Sequence, residues 1–465
     1  MTVVKQSQGL LRFLGWKIQA IMITSLILIF VLGYACIAIE HKIKIDKAAT
    51  ALVMFGLMWA VYALFSDDAD MATNLSEHLG STCETLVFLI GAMTIVELVD
   101  SHGGFSIITK GITTRRKLTL LWLLAGIAFF MSAVLDNMTT TIIMVMILRK
   151  LVDKPSDRWI FSGIIIIAAN SGGAWSPIGD VTTIMLWMRG NVSTLPLISS
   201  LILPCIISLL VPLTVVSFKL RKTEDDRLLT SRSLNLCLPE GIGKKFSLCI
   251  FIVGVIGLLS VPVFKTLTVL PPYVGVMFVL GLLWTLTEIV YAKKKNTEES
   301  IKQRVSKVLK HIDMPTILFF LGILMSVACL QSVGILGTVA DFLDKNVHEV
   351  FTIASVVGLL SSVIDNVPLV AACMGMYPIA TPEAVSLATD PIYIQAFTQD
   401  GLFWMLLTYC AGVGGSILII GSAAGVVAMG LEKINFGWYL KNISLLALLG
   451  YVAGIVVIYA QSLLF

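Results

Sequence analysis

The feature that most constrains this chain is a recurrence. Apolar runs of roughly twenty residues follow one another with short polar loops between them, and each run is long enough to cross a bilayer as a helix. They fall near 18–40, 46–65, 82–101, 159–188, 194–218, 246–264, 271–291, 315–333, 401–431 and 439–463. No single aqueous core could cover that much apolar surface: 57% of the 465 residues are hydrophobic and 13% are charged, where a soluble domain carries about a quarter charged residues. The chain reads as an all-α polytopic membrane protein of about ten spans. Its surroundings are lipid, and a net charge of +4 gives no reason to expect a nucleic-acid partner.

Two further apolar stretches, 118–148 and 350–379, are too long for one span, and each is interrupted by an Asp-Asn pair. The first is preceded by Lys110, Arg115, Arg116 and Lys117 and followed by Arg149, Lys150, Lys154 and Arg158. Basic residues favour the cytoplasm, so both ends want the same side. A segment that enters and leaves on one side is a re-entrant hairpin, here with Asp136 and Asn137 at its tip. Non-helical backbone at that depth requires a watery or protein-lined cavity. The second stretch is flanked by acids, among them Asp341, Asp344, Glu349, Glu383, Asp390 and Asp400. It reads as a hairpin from the outside with Asp365 and Asn366 at its tip. The basic loops at 219–245 and 293–310 suit the cytoplasm, and the acidic 66–81 loop suits the outside. This parity puts the N-terminus outside, against the preference of Lys5, Arg12 and Lys17; residues 1–40 could also be a signal-like segment.

The chain also repeats itself. "MSAVLDNMTTT" at 131–141 parallels "LSSVIDNVPLV" at 360–370, and "NSGGAWSPIGD" at 170–180 parallels "GVGGSILIIGS" at 412–422. Each half runs span, hairpin, glycine-broken span, with opposite sidedness, which is the pattern of an inverted repeat. The expected division is 1–81 as N-terminal spans, 82–218 as the first repeat, 219–245 as a cytoplasmic linker, 246–314 as further spans with a basic loop, and 315–465 as the second repeat.

At the tips the chemistry is that of hard oxygens. Asp136, Asn137, Thr139 and Thr140 come from the first hairpin, and Asn170, Ser176 and Asp180 from the adjacent break. Asp365 and Asn366 come from the second hairpin, with Ser416 from its neighbouring break. Carbonyls freed around Gly172, Gly173, Gly414 and Gly415 could add to them. Such a set can replace the water shell of a cation such as Na⁺, and a carboxylate in a dry cavity can hold either a proton or the cation. Helix capping is the rival reading for each aspartate, most strongly for Asp180, and a kink at close helix packing is the rival for the glycines. Glu97 is either a proton-path residue or a snorkelling side chain. The eight cysteines include no CxxC pair, and the five histidines show no zinc spacing, so neither metal catalysis nor a disulfide framework is expected.

"MSAVLDNMTTTIIMVM", "NSGGAWSPIGDVTTIMLW" and the second "SSVIDN" resemble the NhaD-type sodium/proton antiporters of the ion transporter superfamily, over about 46–463. The resemblance implies a secondary transporter and no enzyme, needing no cofactor beyond the transported Na⁺ (or Li⁺) and H⁺. It also implies a homodimer with scaffold and transport domains and an elevator-like motion, set in a bacterial inner membrane for sodium and pH homeostasis. Carried over, Asp136 and Asn137 with the backbone at Gly172–Gly173 would form one cation site. Asp365 and Asn366 with the backbone at Gly414–Gly415 would form the other. The alternatives are an anion carrier on the same scaffold, for arsenite or a carboxylate, and an intramembrane aspartyl protease. The acidic tips speak against the first. The second would need GxGD and YD motifs, of which only a partial "PIGD" is present.

Overall fold

The computed structural model describes residues 2–38, 43–66, 70–104, 114, 116–221, 243–293, 304–363 and 366–464, with side chains from Gln19 onward except at Ala38 and Lys150. Asp365 and much of the basic loops therefore lie outside the described residues. The chain is 82% helical, with no strand among the described residues, and eight helices are long and apolar enough to cross a membrane. It is an all-α polytopic membrane protein. Two more runs are the broken helices anticipated from their glycines. Helix α1 is Thr2–Ala38, α2 Lys47–Phe65, α3 Met71–Ser101, α4 Lys117–Ser132 and α5 Asn137–Leu151. Next come α6 Pro155–Ala174, α7 Val181–Met188, α8 Thr194–Arg221, α9 Lys244–Thr268 and α10 Pro272–Lys293. The second half holds α11 Met314–Ser332, α12 Ile335–Asn346, α13 Val350–Leu360, α14 Asn366–Met376, α15 Leu402–Gly414 and α16 Ala423–Glu432, and ends with α17 Phe436–Ser462.

The helices start where the local chemistry supplies caps. Asp46 accepts from the Ala48 N–H at 2.7 Å at the head of α2. Asp313 accepts from Thr316 N at 3.2 Å and Thr316 Oγ1 at 2.6 Å at the head of α11. Each carboxylate satisfies a backbone donor that a helix start leaves unpaired. Burial is inverted relative to a soluble protein. On α9, Ile252, Ile256, Leu259 and Val263 form one outward stripe at 43–60% exposure, the spacing of a single helix face turned to lipid.

The chain divides into two compact units. One comprises residues 1–86, 313–347 and 371–378. In it α2 and α11 pack so closely that a Cβ at Gly322 would sit 2.6 Å from the Ala51 carbonyl carbon, and Trp59 Nε1 donates to Met325 O at 2.8 Å. Two details differ from expectation. Most of the acidic 66–81 segment is helical, because α3 already starts at Met71. Helix α12 was not anticipated. It begins after Gly334 at φ +80° and buries Leu336 and Ala340 while exposing Val339 and Phe342.

The other unit comprises residues 87–312, 348–370 and 379–465. Here Lys117, the first residue of α4, pairs with Asp157 at the start of α6 at 2.8 Å. Arg149, near the end of α5, and Arg158, on α6, both pair with the buried Glu432 that ends α16, at 2.7 Å each. Both arms of the first hairpin therefore finish where α6 begins and α16 ends. The opposite end of the unit is where α7 finishes and α15 begins. There Ser193 N and Oγ donate to Asp400 at 2.5 and 2.7 Å. His348, which leads into α13, pairs with Asp390 at 3.2 Å and stacks on Tyr393 at 4.1 Å. The Tyr393 backbone N–H and the His348 ring hold Asp390 below the ordinary carboxylate range. The second hairpin thus starts from the end opposite to the first, as an inverted repeat requires.

Candidate functional site

Helix α4 ends at Ser132, and the chain turns through 133–135 into Asp136. Asp136 adopts φ +113°, ψ +158°, a region otherwise nearly reserved for glycine that costs about 1–3 kcal/mol for other residues. Its part-buried carboxylate caps α5, accepting from Thr139 N and Thr139 Oγ1, both at 2.7 Å. Strain of this kind persists only where the surroundings impose it. Here they do so through Ser132 Oγ, which donates to Ala169 O at 2.6 Å, and Ser176 Oγ, which donates to Ala133 O at 2.5 Å.

The hairpin is laid directly on the broken helix, and glycines make this possible. A Cβ at Gly172 would collide with Phe129 O, and the equivalent Gly414 would collide with Gly358 O in the other half. Gly173 and Gly415 repeat the correspondence, with Gly179 O 2.5 Å and Gly421 O 2.9 Å from their notional Cβ atoms. Ser361 Oγ donates to Ala411 O at 2.8 Å, the counterpart of the Ser132–Ala169 bond. The two halves share backbone geometry as well as spelling.

Between the tips lies a buried polar network. Asn137 Nδ2 donates to Asp180 Oδ2 at 2.9 Å and to Asn170 Oδ1 at 3.1 Å. Asn366 Nδ2, from the second tip, lies 3.5 Å from each Asp180 oxygen. Asn170 Nδ2 continues to Ser416 Oγ and Ser422 Oγ, both at 2.9 Å. Asp180 is 2% exposed and also caps α7, accepting from Thr182 N and Oγ1 at 3.0 Å each. Ser422, its counterpart, caps α16 through Gly425 N at 3.2 Å. Asp180 therefore both caps a helix and joins the two hairpins.

The structure brings Asn137, Asn170, Asp180, Asn366 and Ser416 into this one network. Asp136 and Thr139 stand beside it at the cap. Ser176 is engaged by the tip turn, and Gly172, Gly173, Gly414 and Gly415 serve close packing. Thr140 is buried with no hydrogen-bond partner for its hydroxyl, three residues on from Asn137 and so on the same helix face. Glu97 is elsewhere: it is 36% exposed and lies 3.8 Å from His311. Sequence reasoning passed over several residues. Thr183 carries a second unpartnered buried hydroxyl, Tyr439 donates to Ser416 O at 2.8 Å, and Ser132 makes the tip clasp. Ser132 was findable, since it aligns with Ser361 in the repeated motif. Tyr439 lies outside the motifs.

The electrostatics follow from the breaks. Helices α5, α7, α14 and α16 start near this centre, while α4, α6, α13 and α15 end there. Their partial charges of opposite sign largely offset one another, so the carboxylates decide the sign. Carboxylate, amide and hydroxyl oxygens are the donor set of a hard cation, and buried hydroxyls without partners fit a ligand that the protein itself does not supply.

Comparison with known proteins agrees with this picture. The sequence model of a family described as "Citrate transporter" matches residues 27–398. Two Arabidopsis thaliana proteins named "Sodium/proton antiporter 1" and "Sodium/proton antiporter 2" are 44% and 42% identical over 92% of this chain, covering 70% and 97% of their own lengths. The "Na(+)/H(+) antiporter NhaD" of Vibrio cholerae is 32% identical over 92% of this chain and 90% of its own. The chain thus belongs to the family described as citrate transporters and, within it, to the NhaD-type sodium/proton antiporters.

Proposed function

We propose that the protein exchanges Na⁺ (or Li⁺) for H⁺ across the membrane, and that the buried network around Asp180, with Asp136 beside it, is where the two ions compete. The observation that carries this reading is Asp180 itself: one carboxylate, 2% exposed, approached by an asparagine from each of two oppositely directed hairpins. A bare carboxylate there is costly. Either a proton or a cation relieves the cost, and occupancy by one excludes the other. Asp136, Asn137, Thr139, Thr140, Asn170 and Asn366 complete the proposed set, with Ser416 behind them. Asp365, outside the described residues, is proposed from its place in the repeat.

Alternating access of the elevator type in a homodimer is the mechanism we propose, with the hairpins and broken helices moving as one body. Its support is the backbone-to-backbone packing of each hairpin on its broken helix. Apart from the O–H bond formed and lost as the carboxylate takes up and releases its proton, no covalent bond changes in such a cycle, and the cargo needs no resident cofactor. For the setting we propose a bacterial inner membrane and a role in sodium and pH homeostasis. The identity to plant proteins makes a plant membrane the competing outcome, which fractionation of the source cells decides. The second reading, an anion carrier, draws on the family's description and on the helix N-termini at the centre. The two aspartates oppose it.

The test is made in inverted vesicles carrying a preformed pH gradient. Added Na⁺ should dissipate the gradient and added citrate should not. Dissipation by citrate alone would replace this reading with the anion carrier.

A further inference from the structure

Lys265, near the end of α9, is the only charged residue between Lys245 and Glu288. A lysine at the edge of a spanning helix usually extends its stem to reach water. This one turns inward. Its Nζ donates to Trp187 O at 2.7 Å and stands 4.4 Å from the centre of the Trp187 ring. Among the described residues no carboxylate accompanies it.

Trp187 belongs to the last turn of α7, the eight-residue half-helix that Asp180 heads. Such a helix is about 12 Å long, and its last carbonyls lack partners within it. Gly190 N supplies one donor to Trp187 O at 3.3 Å. Lys265 supplies a charged one, at the end where a helix favours a cation. The Trp187 side chain is fixed as well. It is 1% exposed, packs edge-on against Phe88 of α3 at 6.4 Å and donates from Nε1 to Thr194 Oγ1 at 3.1 Å. So few turns are not stable by themselves, so what holds the tail of α7 also holds its head.

The other half of the repeat treats its half-helix alike. Helix α16, headed by Ser422, ends with Arg149 donating to Leu431 O and Trp159 Nε1 donating to Glu432 O at 3.0 Å. Arg149 also has an acid, Glu432, at 2.7 Å, and it comes from the hairpin arm α5. Lys265 has the helix end and the ring alone, and it comes from α9, outside both hairpin pairs. The half-helix it holds is the one with a carboxylate at its head.

We propose that Lys265 is a positioning residue for ion exchange: it fixes the far end of α7, and through it the place of Asp180, Thr182 and Thr183. It touches neither ion. The assignment rests on the reading of Asp180 as the exchange site.

Na⁺-driven dissipation of a pH gradient in reconstituted vesicles, at matched amounts of protein, tests it. Lys265→Met should raise the apparent KM for Na⁺ about threefold or more and leave the maximal rate within about twofold, the pattern of weakened binding. Lys265→Arg can still donate to the carbonyl and lie over the ring, and should behave as the parent does. Hydrogen–deuterium exchange should show the amides of 186–192 opening faster in Lys265→Met and unchanged in Lys265→Arg. If Lys265→Met does not accumulate, Lys265→Gln is read in the same way. Faster amide exchange with an unchanged KM would make Lys265 a structural anchor only and overturn the proposal. A fall in KM would also overturn it, since that is the effect of removing a positive charge and not of displacing Asp180. A parent without Na⁺-driven exchange would remove the underlying reading and the assignment with it, a failure seen before any variant is compared.

Discussion

Asp180 and Asp136 are both aspartates at helix starts, yet their surroundings differ. Asp180 receives side-chain amides from residues 43 and 186 positions away in sequence, whereas Asp136 is held locally, by the N–H and Oγ1 of Thr139, three positions on. Asn caps a helix about as well as Asp, so Asp180→Asn should leave the protein folded while Na⁺-driven dissipation of a pH gradient falls to background. Asp136 makes a sharper case, because glycine fits its φ of +113°. Asp136→Gly should relieve about 1–3 kcal/mol of strain and cost only a few tenths of a kcal/mol in capping. Thermal unfolding should therefore move upward while exchange is lost. A downward move would mean the backbone there is not strained. The aspartates themselves were legible in the sequence as charges in apolar runs. The dominance of Asp180 was not, because it rests on contacts between distant segments.

At the scale of elements, each hairpin and its broken helix act as one packed pair. Gly172 and Gly414 have no room for a Cβ, whereas Gly126 has nothing within 4 Å of one. Gly172→Ala and Gly414→Ala should each lower stability by about 1–3 kcal/mol or more, the range for overpacking. Gly126→Ala should be neutral or slightly stabilising, since alanine favours a helix. Chemical unfolding in detergent would read the difference. These pairs were visible in advance because a matched glycine pattern in two places is hard to reach without a shared geometry. Helix α12 was not visible. Asp341, Asp344 and Lys345 interrupt its apolar residues, so a search for apolar runs passes over a short helix with one buried and one exposed face. The early start of α3 was missed for a related reason, since polar residues dominate its first turns.

For the whole molecule, the basic feet of the first hairpin and the acidic surroundings of the second should lie on opposite sides of the membrane. A single cysteine at Lys154 in an otherwise cysteine-free background should react with an impermeant thiol reagent only from the cytoplasmic side, and one at Glu383 only from the other. Reaction of both from one side would remove the inverted orientation. The matched Asp-Asn and glycine motifs made the paired hairpins and broken helices readable in advance, because a bilayer permits so few arrangements of backbone.

The most direct measurement is the dependence of exchange on both ions at once, made as the apparent KM for Na⁺ across a pH series in reconstituted vesicles. If proton and Na⁺ compete for one carboxylate, the apparent KM should rise about tenfold for each unit of pH below that group's pKa. The maximal rate should hold, and Asp180→Asn should show no Na⁺-driven exchange at any pH. An apparent KM that stays constant across the series, or an Asp180→Asn variant that retains full exchange, would contradict competition at this site.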